Sequence, residues 1–163
     1  MASLNISRLD KGLTLIEILI MIGIISIVSL SILWIGPDSY RSYLFRNERD
    51  TIVSILQKAR SQAISNICKG SGCTNGKPHG VHFENNKYII FQGSDYATRD
   101  LDQDEEIDSN YHLDFSGSTI TDVVFAELSG DVLVAGDIKL SDSASGRTSD
   151  ININNEGRIA WTN

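Results

Sequence analysis

The chain is poor in cysteine and histidine and, past its first half, in positive charge. Two cysteines, Cys68 and Cys73, are too few to frame a disulfide-built mini-domain. Together with His79 and His82 they make a poor tetrahedral zinc set. The three histidines, His79, His82 and His112, have no spacing that points to catalysis. Gly70-Ser71-Gly72 lacks the preceding strand and following helix that a phosphate-cradling loop needs. From Glu84 onward sixteen acids face five bases, a balance of -11. Such a surface repels phosphate backbones and argues against nucleic acid as a partner. No internal repeat is visible, and 163 residues hold one ordinary domain with an appendage, not two full domains.

Hydrophobic residues make up 41% of the chain and concentrate in one block, residues 13–35, whose single charge is Glu17. As a helix those 23 residues rise roughly 34 Å, sufficient for a bilayer core. A signal-anchor helix is the plain reading. A cleaved secretory signal fits less well, because the run is long and Ser29-Leu30-Ser31 is a weak cleavage site. Arg8 and Lys11 on the upstream flank, beside Asp10, agree with a cytoplasmic N-terminal side. Glu17 is the anomaly. A carboxylate inside an apolar helix costs about 2.5–3.5 kcal/mol on insertion scales, so it calls for a partner or a function. No base lies within the block. A cut after Gly12 would supply one, since the new amino group of Leu13 is a cation at the same depth.

The run Lys11-Gly12-Leu13-Thr14-Leu15-Ile16-Glu17, with a short polar leader before it and about twenty apolar residues after it, resembles the processing site of type IV prepilins and type II secretion pseudopilins. The resemblance implies cleavage after Gly12 by prepilin peptidase, methylation of Leu13, and a mature chain whose fifth residue is Glu17. It also implies a non-catalytic filament subunit with no cofactor. Its partners would be prepilin peptidase, other pilin or pseudopilin subunits, a membrane assembly platform and inner-membrane lipid. The chain would begin as a single-pass inner-membrane protein with its C-terminal domain outside the cytoplasm, and end in a periplasmic or extracellular filament. Leu13 departs from the family, where phenylalanine is usual.

Beyond the block, Gly36-Pro37-Asp38 interrupts the helix. The interruption reads either as a kink in a continuous helix, which the resemblance favours, or as a helix end with a new start at Pro37. Ile52, Ile55, Leu56, Ala59, Ala63 and Ile67 then form an amphipathic stripe, with Arg49, Asp50, Lys58, Arg60 and Gln62 on the other side. Gly70 and Gly72 are expected to end this helix. The remainder reads as strands: 80–84 and 87–91 about an Asn85-Asn86 turn, then 111–115, 119–128 and 131–140, and a last pair about Asn154-Asn155-Glu156-Gly157. The expected fold is α+β, a long kinked N-terminal helix packed on a small antiparallel sheet, with this order resembling H-type minor pseudopilins and T-type minor pilins. The expected divisions are a leader 1–12, a membrane and filament-core helix 13–35, its amphipathic continuation 36–67, and a β-rich extracytoplasmic domain 68–163.

Three candidate sites follow. Cys68-Lys-Gly-Ser-Gly-Cys73 reads as a small disulfide loop if it lies outside the cytoplasm, with free thiols or a metal pair as the other readings. Asp100, Asp102 and Asp104 alternate as in a calcium loop, but Glu105 stands where an EF-hand needs glycine and Tyr111 where it needs glutamate. A solvated acidic loop over 95–108 is therefore expected, and His82 is expected on the polar face of its strand. Some T-type minor pilins bind DNA through basic residues near the C-terminus. Here Arg158 stands alone with no second base beside it, which argues against DNA and leaves it an exposed residue of the last strand. The alternative function is a filament-displayed binding module for DNA, a secreted substrate or calcium, or a plain signal-anchored periplasmic domain.

Overall fold

A computed structural model describes residues 13–33, 37–71, 73–109 and 111–162. It is α+β, with two helices and two antiparallel sheets. The chain divides into two compact units, Met1–Tyr40 and Arg41–Asn163.

The first unit holds helix α1 (Leu15–Leu33). Its N-terminus is capped by Thr14, whose hydroxyl accepts from the Glu17 amide at 3.3 Å, while the Thr14 carbonyl accepts from the Glu17 and Ile18 amides. Thr14 and Glu17 stand in the Thr-x-x-Glu spacing of a capping box, and an acid in the first turn suits the helix dipole. Helix α2 (Pro37–Ile64) starts with proline at its first position, where no backbone donor is needed. Residues 34–36, including Gly36 and the expected kink, lie outside the described residues, as do the leader and Gly12.

In the second unit the α2 stripe is buried as its spacing predicts: Ile52, Ile55, Leu56, Ala59 and Ala63 all join one core, with Phe45 and Val53. Two details differ. The helix ends at Ile64, before Gly70 and Gly72, because Asn66 takes the left-handed conformation (φ 53°). Asn66 and Ile67 amides then donate to Ala63 and Gln62 carbonyls, which is a Schellman ending built on asparagine. Ile67 thus falls past the helix and is 37% exposed. Arg49, expected on the polar side, is buried. It pairs with Asp50 at 2.9 Å and lies over the Trp161 ring at 5.8 Å.

The strands form two sheets instead of one. Strands β1 (His79–Glu84), β2 (Lys87–Gln92), β3 (Glu105–Asp108) and β4 (Asp122–Phe125) are ordered β3-β2-β1-β4. Strands β5 (Gly136–Asp142), β6 (Arg147–Ile153) and β7 (Ile159–Thr162) make the second sheet in sequence order. The β1–β2 hairpin turns at Asn85-Asn86 as expected, with Glu84 opposite Lys87. The expected strand 111–115 contributes only a bridge, Asp114 to Ser141, and 119–128 shrinks to β4. The acidic stretch, expected as a loop, ends in β3, whose alternating exposed and half-buried residues mark an edge strand. Both sheets contribute to the core around α2, through Val81, Tyr88, Ile90, Val123 and Phe125 on one side and Ile138, Leu140, Ile151 and Ile153 on the other.

Candidate functional site

Helix α1 carries apolar side chains on every side, and they are exposed from Leu15 (82%) through Leu30. A helix apolar all round ordinarily belongs in a core or a bilayer. Two polar side chains at this helix are engaged locally: the Ser26 hydroxyl donates to the Ile22 carbonyl at 2.8 Å, and Thr14 caps the first turn. Glu17 is the exposed carboxylate of that first turn, and Leu13, the expected new N-terminus, is exposed just before it. Among the described residues no helix is long and apolar enough to cross a membrane. Those of α1 rise about 28 Å over 19 residues, and the apolar run in the sequence continues past them to Ile35.

Cys68 and Cys73 are joined in a disulfide, with Cα atoms 5.6 Å apart. Gln92, almost wholly buried at the end of β2, buckles this loop to the acidic stretch. Its carbonyl accepts from the Lys69 amide at 2.7 Å, and its amide donates to the Lys69 carbonyl at 3.1 Å and to Asp100 at 2.8 Å. Asp100 also pairs with Lys77, and these hydrogen bonds, that of Lys77 first, hold its carboxyl below the usual range. Asp104 is taken by Arg99 at 2.7 Å, and Asp102 stays exposed on a single helical turn. The structure therefore spends two of the three alternating acids on cations. Among the described residues no group of three or more His, Cys, Asp or Glu could hold a metal ion.

The same stretch folds back over the outer face of the first sheet. Tyr96 stacks on His82 with ring centroids 3.7 Å apart and meets Phe91 edge-on, and the Arg99 guanidinium covers Tyr96 at 3.7 Å. Gly80 makes room, since a Cβ there would sit 2.3 Å from the Phe91 ring. This is why β2 is buried on both faces, and why His82, although hydrogen-bonded to Asp122, lies under an aromatic lid. His112 is exposed and bonds to Asn86 at 2.6 Å, while Arg158 is exposed next to β7. His79 is 1% exposed. Its Nδ1 faces the Lys77 carbonyl, its Nε2 has no hydrogen-bond partner among the described residues, and burial lowers its pKa.

One buried polar cluster was not foreseen. Glu48 sits on the α2 stripe and accepts from the Tyr88 hydroxyl at 2.8 Å, with Ser109 Oγ 2.7 Å from the same oxygen. The signal lay in its spacing: Phe45, Glu48, Arg49 and Ile52 keep the three- and four-residue steps of the stripe.

Compared with family models, curated proteins and solved structures, the chain has no match in any of the three.

Proposed function

We propose that this chain is a non-catalytic subunit, in the manner of a minor pilin or pseudopilin, of a type IV pilus or type II secretion pseudopilus. The observation that carries the reading is α1: exposed apolar residues on every side, interrupted by one carboxylate in the first turn. Together with the run ending at Ile35, it would hold the chain in the inner membrane before assembly. Extracted into a filament, the same side chains would pack against the α1 of neighbouring copies or related subunits. Burial of those side chains away from water, with close packing, would then hold the bundle.

Within such a bundle Glu17 has a task. Prepilin peptidase would cut after Gly12 and free the amine of Leu13. That amine of one subunit would meet Glu17 of the next and offset the cost of an apolar-buried carboxylate. Each pair would also fix the stagger between neighbours. The capping geometry at Thr14 supports this reading, because it starts the helix just after the proposed cut. The pilin-like fold, one amphipathic helix on a β-rich domain, belongs to the same proposal.

The test is the intact mass and N-terminal sequence of the protein from membranes of hosts with and without prepilin peptidase. A chain starting at methylated Leu13, only when the peptidase is present, is expected. A chain that keeps its leader in both hosts would overturn the proposal and leave a signal-anchored domain.

A further inference from the structure

The outer edges of the two sheets are not equally protected. That of β4 is taken by Val132 and Leu133, and that of β5 by Asp114, Ser118 and Thr119. The edge of β3 is guarded by the exposed carboxylates of Glu106 and Asp108. Strand β7 has neither protection. Among the described residues it pairs with β6 alone, and it reads Ile-Ala-Trp-Thr without a charge. Ala160, Trp161 and Thr162 are exposed in succession, Trp161 by 45%. An open edge of that composition is a template for another strand.

A cavity of about 370 Å³ opens where β7 begins, between that strand and α2. Arg60 and Arg158 line it, with Ile64 and Ile159 as its apolar wall. Arg60 is held there by carbonyls: Nε donates to Gly130 at 3.3 Å and Nη2 to Glu156 at 2.9 Å. Gly157 permits this approach, because its φ is +69° and a Cβ there would stand 2.2 Å from the Gly130 oxygen. Among the described residues neither Arg60 nor Arg158 forms an ion pair, in a chain of net charge -7. The far end of β7 differs. There Arg49, over Trp161, pairs with Asp50, and the exposed Asp150 of β6 stands opposite Thr162.

We propose that the β7 edge takes an extended, uncharged C-terminal segment of another protein chain, with its terminal carboxylate between Arg60 and Arg158. The charge pattern selects a terminus. Two cations without an ion pair stand at the start of the strand, whereas an acid faces its end, so one carboxylate on an otherwise neutral segment matches the groove. With that carboxylate beside Gly157 the segment runs antiparallel to β7, as β6 does on the other side. Ladder hydrogen bonds would supply affinity, the two guanidinium groups would read the terminus, and Ile64 with Ile159 would receive an apolar last side chain. The groove lies wholly within the second unit, so the contact does not depend on the reading of α1.

The full chain, fluorescently labelled and in mild detergent, is applied to a randomised array of N-acetylated peptides of uncharged residues, each about six residues long, the usual length of a strand. Every peptide is present with a free carboxylate, as the carboxamide, as the carboxamide with one internal glutamate, and with a free carboxylate but N-methylated on either alternate set of backbone amides. Fluorescence anisotropy then measures the affinity of the peptides retained. Binding is expected for free carboxylates, with the carboxamide about ten-fold weaker, the loss that a charge-assisted hydrogen bond implies. Methylation of one set of amides should abolish binding, since those amides would face β7. R158Q should weaken binding about as much as the carboxamide does, with an unchanged urea midpoint. The peptide controls use the wild-type chain, so a misfolded variant cannot imitate them. Retention of no peptide, equal affinity for carboxylate and carboxamide, or binding that survives methylation of both sets would each overturn the proposal. Glutamate-bearing carboxamides that bind as well as free carboxylates would make the groove a reader of acidic strands and overturn the assignment to a terminus.

Discussion

The hydroxyl of Tyr88, in the middle of the first sheet, donates to the carboxylate of Glu48 on helix α2, 2.8 Å away in the core. Burial first, and then this carboxylate, push the Tyr88 phenol well above its ordinary range, so it stays a donor at any physiological pH. Replacing Glu48 with alanine leaves that hydroxyl buried without its acceptor. The expected cost is about 1–3 kcal/mol, read from urea unfolding. E48Q, which keeps an acceptor, should cost less. Equal stability of E48A and wild type would show that the pair holds nothing together.

His79 sets a pH dependence. Burial lowers its folded pKa below 6.5, so the unfolded chain takes up its proton first as pH falls. Stability contributed by neutral His79 is therefore full above pH 6.5 and declines as pH drops toward the lower folded value. Asp100 and Asp142 are held below 3.8 and contribute their own loss only at more acidic pH. Denaturation curves between about pH 7 and 5 should show the decline in wild type and a flatter profile in H79Q. An identical slope in both would assign it to other groups.

Reduction of Cys68–Cys73 should cost about 2 kcal/mol, the chain-entropy value for so short a loop. Its effect is expected to spread through Gln92 to Asp100, loosening the stretch that carries Tyr96 and Arg99. Trypsin cleavage after Arg99 should therefore speed up when reductant is added. Unchanged cleavage would mean that the aromatic lid holds without the disulfide loop.

For the filament reading, E17A is expected to leave membrane insertion intact, and even to ease it by removing an intramembrane charge. Incorporation into filaments, measured by shearing and immunoblot against the wild-type chain, should fall sharply. Normal incorporation would remove the proposed pairing with the Leu13 amine.

The parts of the fold legible in the sequence are those with a period. The α2 stripe announced itself by three- and four-residue steps, and the first hairpin by Asn85-Asn86 between apolar runs. What escaped has no period. Strand β3 reads Glu-Glu-Ile-Asp, a charge run by composition, yet it pairs at a sheet edge where charges are favoured. Asn66 ends α2 by a backbone conformation that glycine more often supplies. Arg49 is buried because Trp161, over a hundred residues later, lies beneath it. The lid is likewise a tertiary pairing: nothing near His82 tells that Tyr96 will stack on it. Thr14 and Glu17 did carry a readable capping signature, hidden behind the larger puzzle of a charge in an apolar run.

The core's composition carries a last consequence, for the time course of synthesis. Ile52 and Leu56 share one cluster with Ile151 and Ile153, residues from opposite ends of the domain. A chain emerging N-terminus first thus presents the sticky side of α2 long before the strands that cover it exist. Early closure by α2 alone gains little, since its partners lie in both sheets and non-local pairing is slow. The domain should consequently be vulnerable while it is incomplete, and chains stalled before β6 should need a chaperone or be degraded.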